Sequence, residues 1–215
     1  MTCMVIGTFS KKISQKVARA WSRNLLYFFG VKVIVKGQDR LARGARYVFF
    51  ANHQSALDIP ILYAALLRPL CFIAKKELFM VPILGWGMAA IGHVRIDRSS
   101  PRKALDSLAR GVDNLNRHGL SLVLFPEGTR SDDGTLGRFK QGSFALALDA
   151  GMPVVPVAIR KANERLPKKE LLVRPGNVYV EICDPIDPAG MDKSGLADRV
   201  RTVIEKTINS ADPLN

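Results

Sequence analysis

His53 and Asp58 are two side chains whose types and spacing suit catalysis, and they follow a short apolar run that ends at Ala51. A carboxylate bonded to one imidazole nitrogen fixes the tautomer and leaves the other nitrogen free to accept a proton, as a general base requires. Residues five apart in a regular helix point about 140° away from each other, so the pair can meet only if His53 lies in a turn before the helix. Pro60 is compatible with a helix that begins close to Asp58.

The same segment also fits a purely structural role. The spacing Ser55-x-x-Asp58 is a capping-box pattern, and His53 would then only satisfy a buried backbone group. Both interpretations stay open for this segment alone. Ser55 is the nearest candidate nucleophile, but the chain contains no G-x-S-x-G elbow, so a structural role is predicted for its hydroxyl.

A second polar cluster, Phe-Pro-Glu-Gly-Thr-Arg at residues 125–130, follows another apolar run. Pro and Gly favour a tight turn, and Arg130 offers a forked guanidinium that suits a phosphate. Glu127 can hold that guanidinium, or another donor, in place. The alternative is an ordinary β-turn with a surface salt bridge.

Further cations follow other short apolar runs, namely Lys75 and Arg98. In α/β folds, ligands bind at the carboxyl ends of the strands, so these cations and Arg130 are candidates to converge on one anion. The chain as a whole carries 32 Lys and Arg against 19 Asp and Glu, a formal charge of +13. Such an excess favours a phosphate-rich or otherwise anionic partner.

Short apolar runs alternate with helical patterns from about residue 31 onward, which predicts a single α/β domain with a largely parallel mixed sheet flanked by helices. The predicted strands are residues 31–35, 47–51, 71–74, 94–96, 120–125, 154–159 and 178–182. The predicted helices are residues 59–67, 101–117, 143–150 and about 196–208. The polar stretch 161–176 is interpreted as a surface excursion. We expect residues 31–215 to form this domain.

Residues 1–30 differ in character and are predicted to contain an amphipathic helix over residues 9–29. Its apolar stripe comprises Ile13, Val17, Ala20, Trp21 and Phe28, and its flanking cations are Lys12, Lys16, Arg19 and Arg23. This pattern fits a helix packed on the domain with a solvated basic side, and equally a helix at a membrane surface. The uncharged run 78–94 contains one proline and three glycines, so a membrane-spanning helix is not expected there. The short apolar opening at residues 4–6 is followed by lysines rather than preceded by them, so no secretory signal is expected either.

Several other classes of site are disfavoured. The residues His53, His93 and His118 lack metal-ligand spacing, and the three cysteines form no CxxC pair, so no metal site is predicted. The run Gly85-Trp86-Gly87 lacks the third glycine of a dinucleotide fingerprint. A basic module that binds nucleic acid or membrane without catalysis is permitted by charge, but no aromatic RNA-binding pattern or zinc-finger spacing is present.

Four ordered blocks of this chain resemble the glycerolipid acyltransferases, specifically the bacterial 1-acyl-sn-glycerol-3-phosphate acyltransferases. The blocks are Asn52-His53-Gln54-Ser55-x-x-Asp58, Gly92 to Arg98, Phe125 to Ser131, and Pro153 to Val157. Asp133-Gly134, Leu136 and Phe139-Lys140-Gln141-Gly142 resemble the continuation of the third block. The resemblance therefore covers roughly half of the chain.

The resemblance implies direct transfer of an acyl group from a thioester to an alcohol. His53 would be the general base, with Asp58 orienting it. Arg130, Arg98 and Lys75 would hold the phosphate of the acceptor, in a pocket shaped by Glu127, Gly128 and Thr129. It further implies lysophosphatidic acid as the acceptor and acyl-CoA or acyl carrier protein as the donor, with no cofactor and no nucleic acid.

Two matters stay open at this level. The acceptor could instead be glycerol 3-phosphate, a lysophospholipid or an amino-acid-based lysolipid, although Thr129 after Glu127-Gly128 favours lysophosphatidate. The location expected for such an enzyme is the cytoplasmic face of the inner membrane, peripheral or monotopic, where an anionic surface would attract the basic chain.

Overall fold

The computed structural model describes residues 11–96 and 115–210. The chain divides into two compact units. The first unit comprises residues 1–21 and 67–123, and the second unit comprises residues 22–66 and 124–215. The helices are α1 (Lys11–Phe28), α2 (Asp58–Ala65), α3 (Leu84–Ile91), α4 (Gly142–Ala150), α5 (Ala162–Arg165) and α6 (Lys193–Asn209). Residues 115–118 are also helical, and Gln38–Arg40 and Lys76–Met80 form short 3-10 helices.

Seven strands are present in the described part of the chain. They are β1 (Val31–Lys36), β2 (Val48–Ala51), β3 (Leu70–Lys75), β4 (Val94–Ile96), β5 (Ser121–Leu124), β6 (Val154–Arg160) and β7 (Gly176–Ile182). In the second unit the order is β1-β7-β6-β2, in which β1–β7 and β2–β6 are parallel and β6–β7 is antiparallel. In the first unit β3 lies between β5 and β4, parallel to both. The predicted α/β class with largely parallel strands flanked by helices is therefore confirmed.

The strands form where the sequence places β-branched and aromatic residues in short runs. Every residue of β2 and β5 is buried, and β6 is buried up to Ile159. Strands covered on both faces have this continuous apolar pattern. β2 ends directly before the polar segment that begins at Asn52, and β5 ends directly before residues 125–130. In the second unit, α6 begins at the cap Asp192, whose side chain accepts a hydrogen bond from Gly195 N at 2.8 Å. Its buried residues Leu196, Val200 and Ile204 recur at every fourth position, so one face of the helix is apolar.

The boundaries of the elements differ from those predicted in a few places. The run 78–94 contains helix α3, which was not predicted because glycine and proline are poor helix formers. The surface excursion 161–176 begins with the short helix α5. Most of the predicted helix 101–117 lies outside the described residues. The division of the chain into an N-terminal segment, residues 1–30, and a domain, residues 31–215, stays a prediction.

Helix α1 packs through a mixed face that lies outside the predicted apolar stripe. Ser14, Gln15, Ala18, Ser22 and Leu26 are buried, whereas Trp21 is 60% and Phe28 is 79% exposed. The predicted apolar stripe therefore faces outward. Lys12, Lys16 and Arg23 are exposed as well, so the helix packs through neither the apolar stripe nor the basic side that the sequence indicates.

Hydrogen bonds to main-chain carbonyls hold this buried side of α1 within the first unit. The amide of Gln15 donates to Leu70 O and to Ile91 O, each at 2.7 Å, and accepts from Leu70 N at 3.0 Å. Lys11 and Arg19 donate to the carbonyls of Ala89 and Arg68, each at 2.8 Å. Because buried polar groups need partners, these bonds define which face of the helix is turned inward.

Candidate active site

The site begins where β2 ends, and Asn52 determines that end. Its side chain is buried, donates from Nδ2 to Ile159 O at 2.8 Å and accepts at Oδ1 from Ile159 N at 2.7 Å. Ile159 belongs to β6, the neighbour of β2, so the Asn52 amide replaces a main-chain partner one residue beyond the strand. The chain is thereby free to turn at His53 while the sheet edge stays hydrogen-bonded.

Asp58 is the first residue of α2, and its buried carboxylate organises the preceding turn. Its Oδ2 accepts hydrogen bonds from Gln54 N at 2.7 Å and Ser55 N at 2.9 Å, and lies 2.7 Å from His53 Nδ1. The expected placement of His53 in the turn before the helix is confirmed. The helix start and the histidine contact therefore use the same carboxylate oxygen.

The hydrogen-bond pattern determines the tautomer of His53. Asp58 Oδ2 already accepts from two backbone N–H groups, so His53 Nδ1 must carry the hydrogen that it shares with this oxygen. Nε2 is then the unprotonated nitrogen of the neutral ring. The imidazole also stacks on the Phe125 ring, with centroids 4.0 Å apart and an interplanar angle of 17°. Its side chain is 18% exposed, so the ring is fixed on one face and still reachable.

Glu127 links this turn to the segment after β5. Its Oε1 accepts from His53 N at 2.7 Å and its Oε2 accepts from Gly137 N at 2.9 Å. Burial raises the pKa of Glu127, although the two backbone hydrogen bonds oppose that shift. The sequence left open whether Glu127 holds the Arg130 guanidinium or another donor. The structure shows that both of its partners are backbone N–H groups. The carboxylate thus positions the His53 backbone.

Residues 125–131 form a tight turn beside the histidine. Gly128 N donates to Phe125 O at 3.0 Å, and Gly128 has φ +71°, a left-handed conformation that suits glycine. Ser131 N donates to His53 O at 2.8 Å, which brings the turn against the His53 segment. Thr129 is exposed and Arg130 is half-buried. Within the described part of the chain the Arg130 guanidinium has no hydrogen-bond or ion-pair partner, so it is available for an anionic ligand.

The loop that follows is held rigidly by its own side chains. Asp133 accepts from the Thr135 hydroxyl at 2.7 Å, from Thr135 N at 2.9 Å and from the Ser131 hydroxyl at 3.0 Å. These hydrogen bonds lower the pKa of Asp133 to about 2, with the Thr135 hydroxyl contributing most. Gln54 donates to Gly134 O at 2.8 Å, which ties the loop to the turn that contains His53.

Gly137 marks a close approach in this loop. A Cβ added there would lie 2.8 Å from Glu127 Oε2, closer than such contacts normally occur. The two contacts of Glu127, with His53 N and Gly137 N, form what we call the Glu127 brace. This brace requires glycine at position 137 for steric reasons. Nothing in the sequence pattern identifies this requirement, because it depends on a contact between residues ten apart.

The structure brings together six of the eight predicted site residues within the second unit. These are His53, Asp58, Glu127, Gly128, Thr129 and Arg130. Lys75 is exposed at the end of β3 in the first unit, and Arg98 lies outside the described residues. The sequence did not reveal the roles of Asn52, Phe125 and Gly137, which position the segment that contains His53. Among the described residues, no group of three or more His, Cys, Asp or Glu side chains is arranged to hold a metal ion.

Comparison with known proteins identifies the family. A family model described as Acyltransferase matches residues 32–160. A chloroplastic 1-acyl-sn-glycerol-3-phosphate acyltransferase from Brassica napus is 35% identical over 208 residues, which are 96% of this chain and 59% of that protein. A 1-acyl-sn-glycerol-3-phosphate acyltransferase from Pseudomonas aeruginosa is 31% identical over 205 residues, 92% of this chain and 79% of that protein.

The fold has a close relative among solved structures. The crystal structure of the 1-acyl-sn-glycerophosphate (LPA) acyltransferase PlsC from Thermotoga maritima superimposes with a TM-score of 0.82 at 29% identity, covering 92% of this chain and 79% of that one. The chain spans 59% and 57% of the length of two chloroplastic relatives, from Brassica napus and Arabidopsis thaliana. The matched residues include both polar segments that meet at His53, and the chain belongs to the acyltransferase family that includes these 1-acyl-sn-glycerol-3-phosphate acyltransferases.

Proposed function

We propose that this chain transfers a fatty acyl group from a thioester to the sn-2 hydroxyl of 1-acyl-sn-glycerol 3-phosphate, giving phosphatidic acid. The observation that carries the proposal is the 2.7 Å contact between His53 Nδ1 and Asp58 Oδ2, which leaves Nε2 as a proton acceptor. The names of the relatives from Brassica napus, Pseudomonas aeruginosa and Thermotoga maritima support this acceptor.

In the proposed reaction His53 Nε2 takes the proton of the acceptor hydroxyl as its oxygen attacks the thioester carbonyl carbon. The imidazolium formed is stabilised by the buried carboxylate of Asp58. The tetrahedral intermediate collapses with breakage of the carbon–sulfur bond, and the departing thiolate takes the proton back from His53. Binding both substrates in the reactive geometry can itself supply about 7 to 11 kcal/mol of the barrier.

The phosphate of the acceptor is proposed to bind at the turn of residues 128–130. Arg130 provides a half-buried cation without a partner among residues 11–96 and 115–210, and a guanidinium pairs with phosphate through two parallel hydrogen bonds. Glu127 acts by positioning this turn and His53. The predicted phosphate-binding roles of Lys75 and Arg98 stay predictions.

The donor is proposed to be acyl-CoA or acyl carrier protein, which enters as a co-substrate, and the chemistry requires no cofactor. Both donors are anionic, so a chain of formal charge +13 suits either of them. The location proposed for the enzyme is the cytoplasmic face of the inner membrane. The outward apolar stripe of α1, with exposed Ile13, Trp21 and Phe28, supports attachment to lipid. No helix in the described residues has the length and apolarity needed to cross a bilayer.

The proposed chemistry is tested first at the catalytic pair. The wild-type protein should release thiol and form phosphatidic acid from acyl thioester and lysophosphatidate, in an assay run across a panel of donors and acceptors. His53→Ala should lower kcat by about 10² to 10⁴-fold, because it removes the general base. Tm should change little, because the backbone hydrogen bonds of the turn to Asp58 and Glu127 remain. Asp58→Asn keeps an oxygen for the two backbone donors but should slow turnover, because it cannot stabilise the imidazolium. Appreciable turnover by folded His53→Ala would refute the assignment, and an Asp58→Asn effect confined to Tm would leave only its role at the helix start.

A second prediction tests the brace formed by Glu127. Gly137→Ala should lower kcat by about 10²-fold, because the added Cβ displaces Oε2 and with it the His53 backbone, and misplacement of about 1 Å is that costly. Gly142→Ala is the matched control, because its Cβ would meet no atom within 4 Å. Equal kinetic constants for the two variants would show that the brace does not position His53.

A third prediction concerns the acceptor. Arg130→Ala should raise KM for lysophosphatidate by about 10- to 100-fold, because a hydrogen bond to a charged group contributes about 1.5 to 3 kcal/mol. The effect should be much smaller with an acceptor that lacks a phosphate monoester. Arg199→Ala, at an exposed position of α6, serves as the control for a lost positive charge. A rise in KM for the acyl donor alone would mean that Arg130 binds the other substrate.

A fourth prediction concerns membrane attachment through α1. Replacing Ile13 and Trp21 by Ser should weaken binding to anionic vesicles at least about tenfold, because both side chains then lose apolar burial in lipid. Tm should stay unchanged, because these side chains are already 47% and 60% exposed. Asn24→Ser, at an exposed polar position of the same helix, is the control. Unchanged vesicle affinity in the double variant would place the contact elsewhere.

A further inference from the structure

The loop of residues 166–175, between α5 and β7, presents two leucines to solvent at its tip. Leu171 is 98% exposed and Leu172 is 75% exposed. Single exposed leucines are ordinary, but an adjacent pair at a loop tip covers no part of the core. Lys169 and Arg174, both exposed, flank the pair.

This tip is braced. Arg174 N donates to Arg165 O at 2.7 Å, and the Arg165 guanidinium donates to Pro175 O at 2.7 Å, so the two ends of the loop are joined. Arg174 also pairs with Glu170 at 2.7 Å on the same loop. Leu171 and Leu172 lie in the stretch between these contacts and are exposed to solvent.

The loop is attached to both halves of the active site. Leu166 O accepts a hydrogen bond from the Ser55 hydroxyl at 2.8 Å, and Ser55 is two residues beyond His53. Lys168 Nζ lies 3.1 Å from Asp132 Oδ2, and Asp132 is two residues beyond Arg130. The position of the tip is therefore coupled to the position of the catalytic turn.

The foot of the same loop lies beside the end of α1. Gly176 N donates to Gly30 O at 2.9 Å, and a Cβ added at Gly30 would meet Pro175 at 2.9 Å. Tyr27 and Phe28, just before this contact, are 87% and 79% exposed. Exposed aromatic and leucine side chains accompanied by cations are the composition of protein surfaces that sit at the headgroup level of a bilayer.

We propose that loop 166–175 inserts Leu171 and Leu172 into the boundary between headgroups and acyl chains of an anionic bilayer. Lys169 contributes an exposed positive charge beside the inserted pair, and anionic headgroups would attract it. Because the loop is bonded to Ser55 and Asp132, insertion sets the catalytic turn at the lipid surface. The benefit to catalysis rests on the proposed lipid acceptor, whereas the insertion itself does not.

The insertion is tested with an environment-sensitive fluorophore on Leu171→Cys, in a background where Cys3 is replaced by Ser. Cys71 and Cys183 are buried, so labelling is directed to position 171. On vesicles that contain phosphatidylglycerol the emission should shift to the blue and be quenched by lipids brominated in the acyl chain. The same label on Glu205→Cys, at an exposed position of α6, should not respond. A protein that sediments with vesicles while the label at 171 keeps its emission in water would overturn the proposal, as would failure to bind vesicles.

A kinetic experiment separates this proposal from the proposed function. The double variant Leu171→Ser, Leu172→Ser should raise KM for vesicle-borne lysophosphatidate about ten- to a hundredfold, as expected for the lost burial of apolar side chains. Its kcat/KM with a short-chain, water-soluble acceptor should equal that of the wild type. Equal losses on both acceptors would assign the leucines a structural role. If the wild type acylates no acceptor, the proposed function fails, and the fluorescence experiment still decides whether the loop inserts.

Discussion

The site depends on one oxygen atom, Oδ2 of Asp58. It accepts from Gln54 N and Ser55 N and also binds His53 Nδ1. The backbone bonds bend the chain into a turn that a helix can follow, and that turn directs the imidazole back to the same oxygen. The structural interpretation of the His53–Asp58 spacing and the proposed catalytic one thus rest on the same interaction. A site of this kind can be ordered before any substrate binds, because the atoms that shape the backbone also orient the imidazole.

A second carboxylate performs the corresponding task from the other strand end. Both oxygens of Glu127 are engaged by main-chain N–H groups, of His53 and of Gly137, inside a buried environment that raises its pKa. Backbone N–H groups do not change with the side chain attached to them. The contacts of Glu127 therefore do not use the side chain at position 53 or 137, and position 137 has no space for a Cβ.

The sequence predicted the parts of this structure that depend on local composition. Buried strands such as β2 and β6 are continuous apolar runs, and the pairing of His53 with Asp58 follows from a spacing and a helix boundary. Contacts between distant segments could not be predicted, because Asn52 and Glu127 bind main-chain atoms that every residue possesses. The side on which α1 packs could not be predicted either. A hydrophobic stripe shows that a helix has two different faces, but the face of α1 that turns inward carries Gln15, which donates to two main-chain carbonyl groups.

The hydrogen bonds that attach α1 have a consequence for the membrane binding proposed above. A helix held by hydrogen bonds from Gln15, Lys11 and Arg19 keeps its position whether its outer surface touches water or hydrocarbon. If α1 binds lipid as proposed, the surroundings of Ile13 and Trp21 change, and none of these hydrogen bonds has to be broken. The cost falls on the aqueous form, because an uncovered apolar surface promotes self-association. Concentrated, lipid-free solutions of the protein are consequently expected to need a detergent or amphiphile that substitutes for the missing surface.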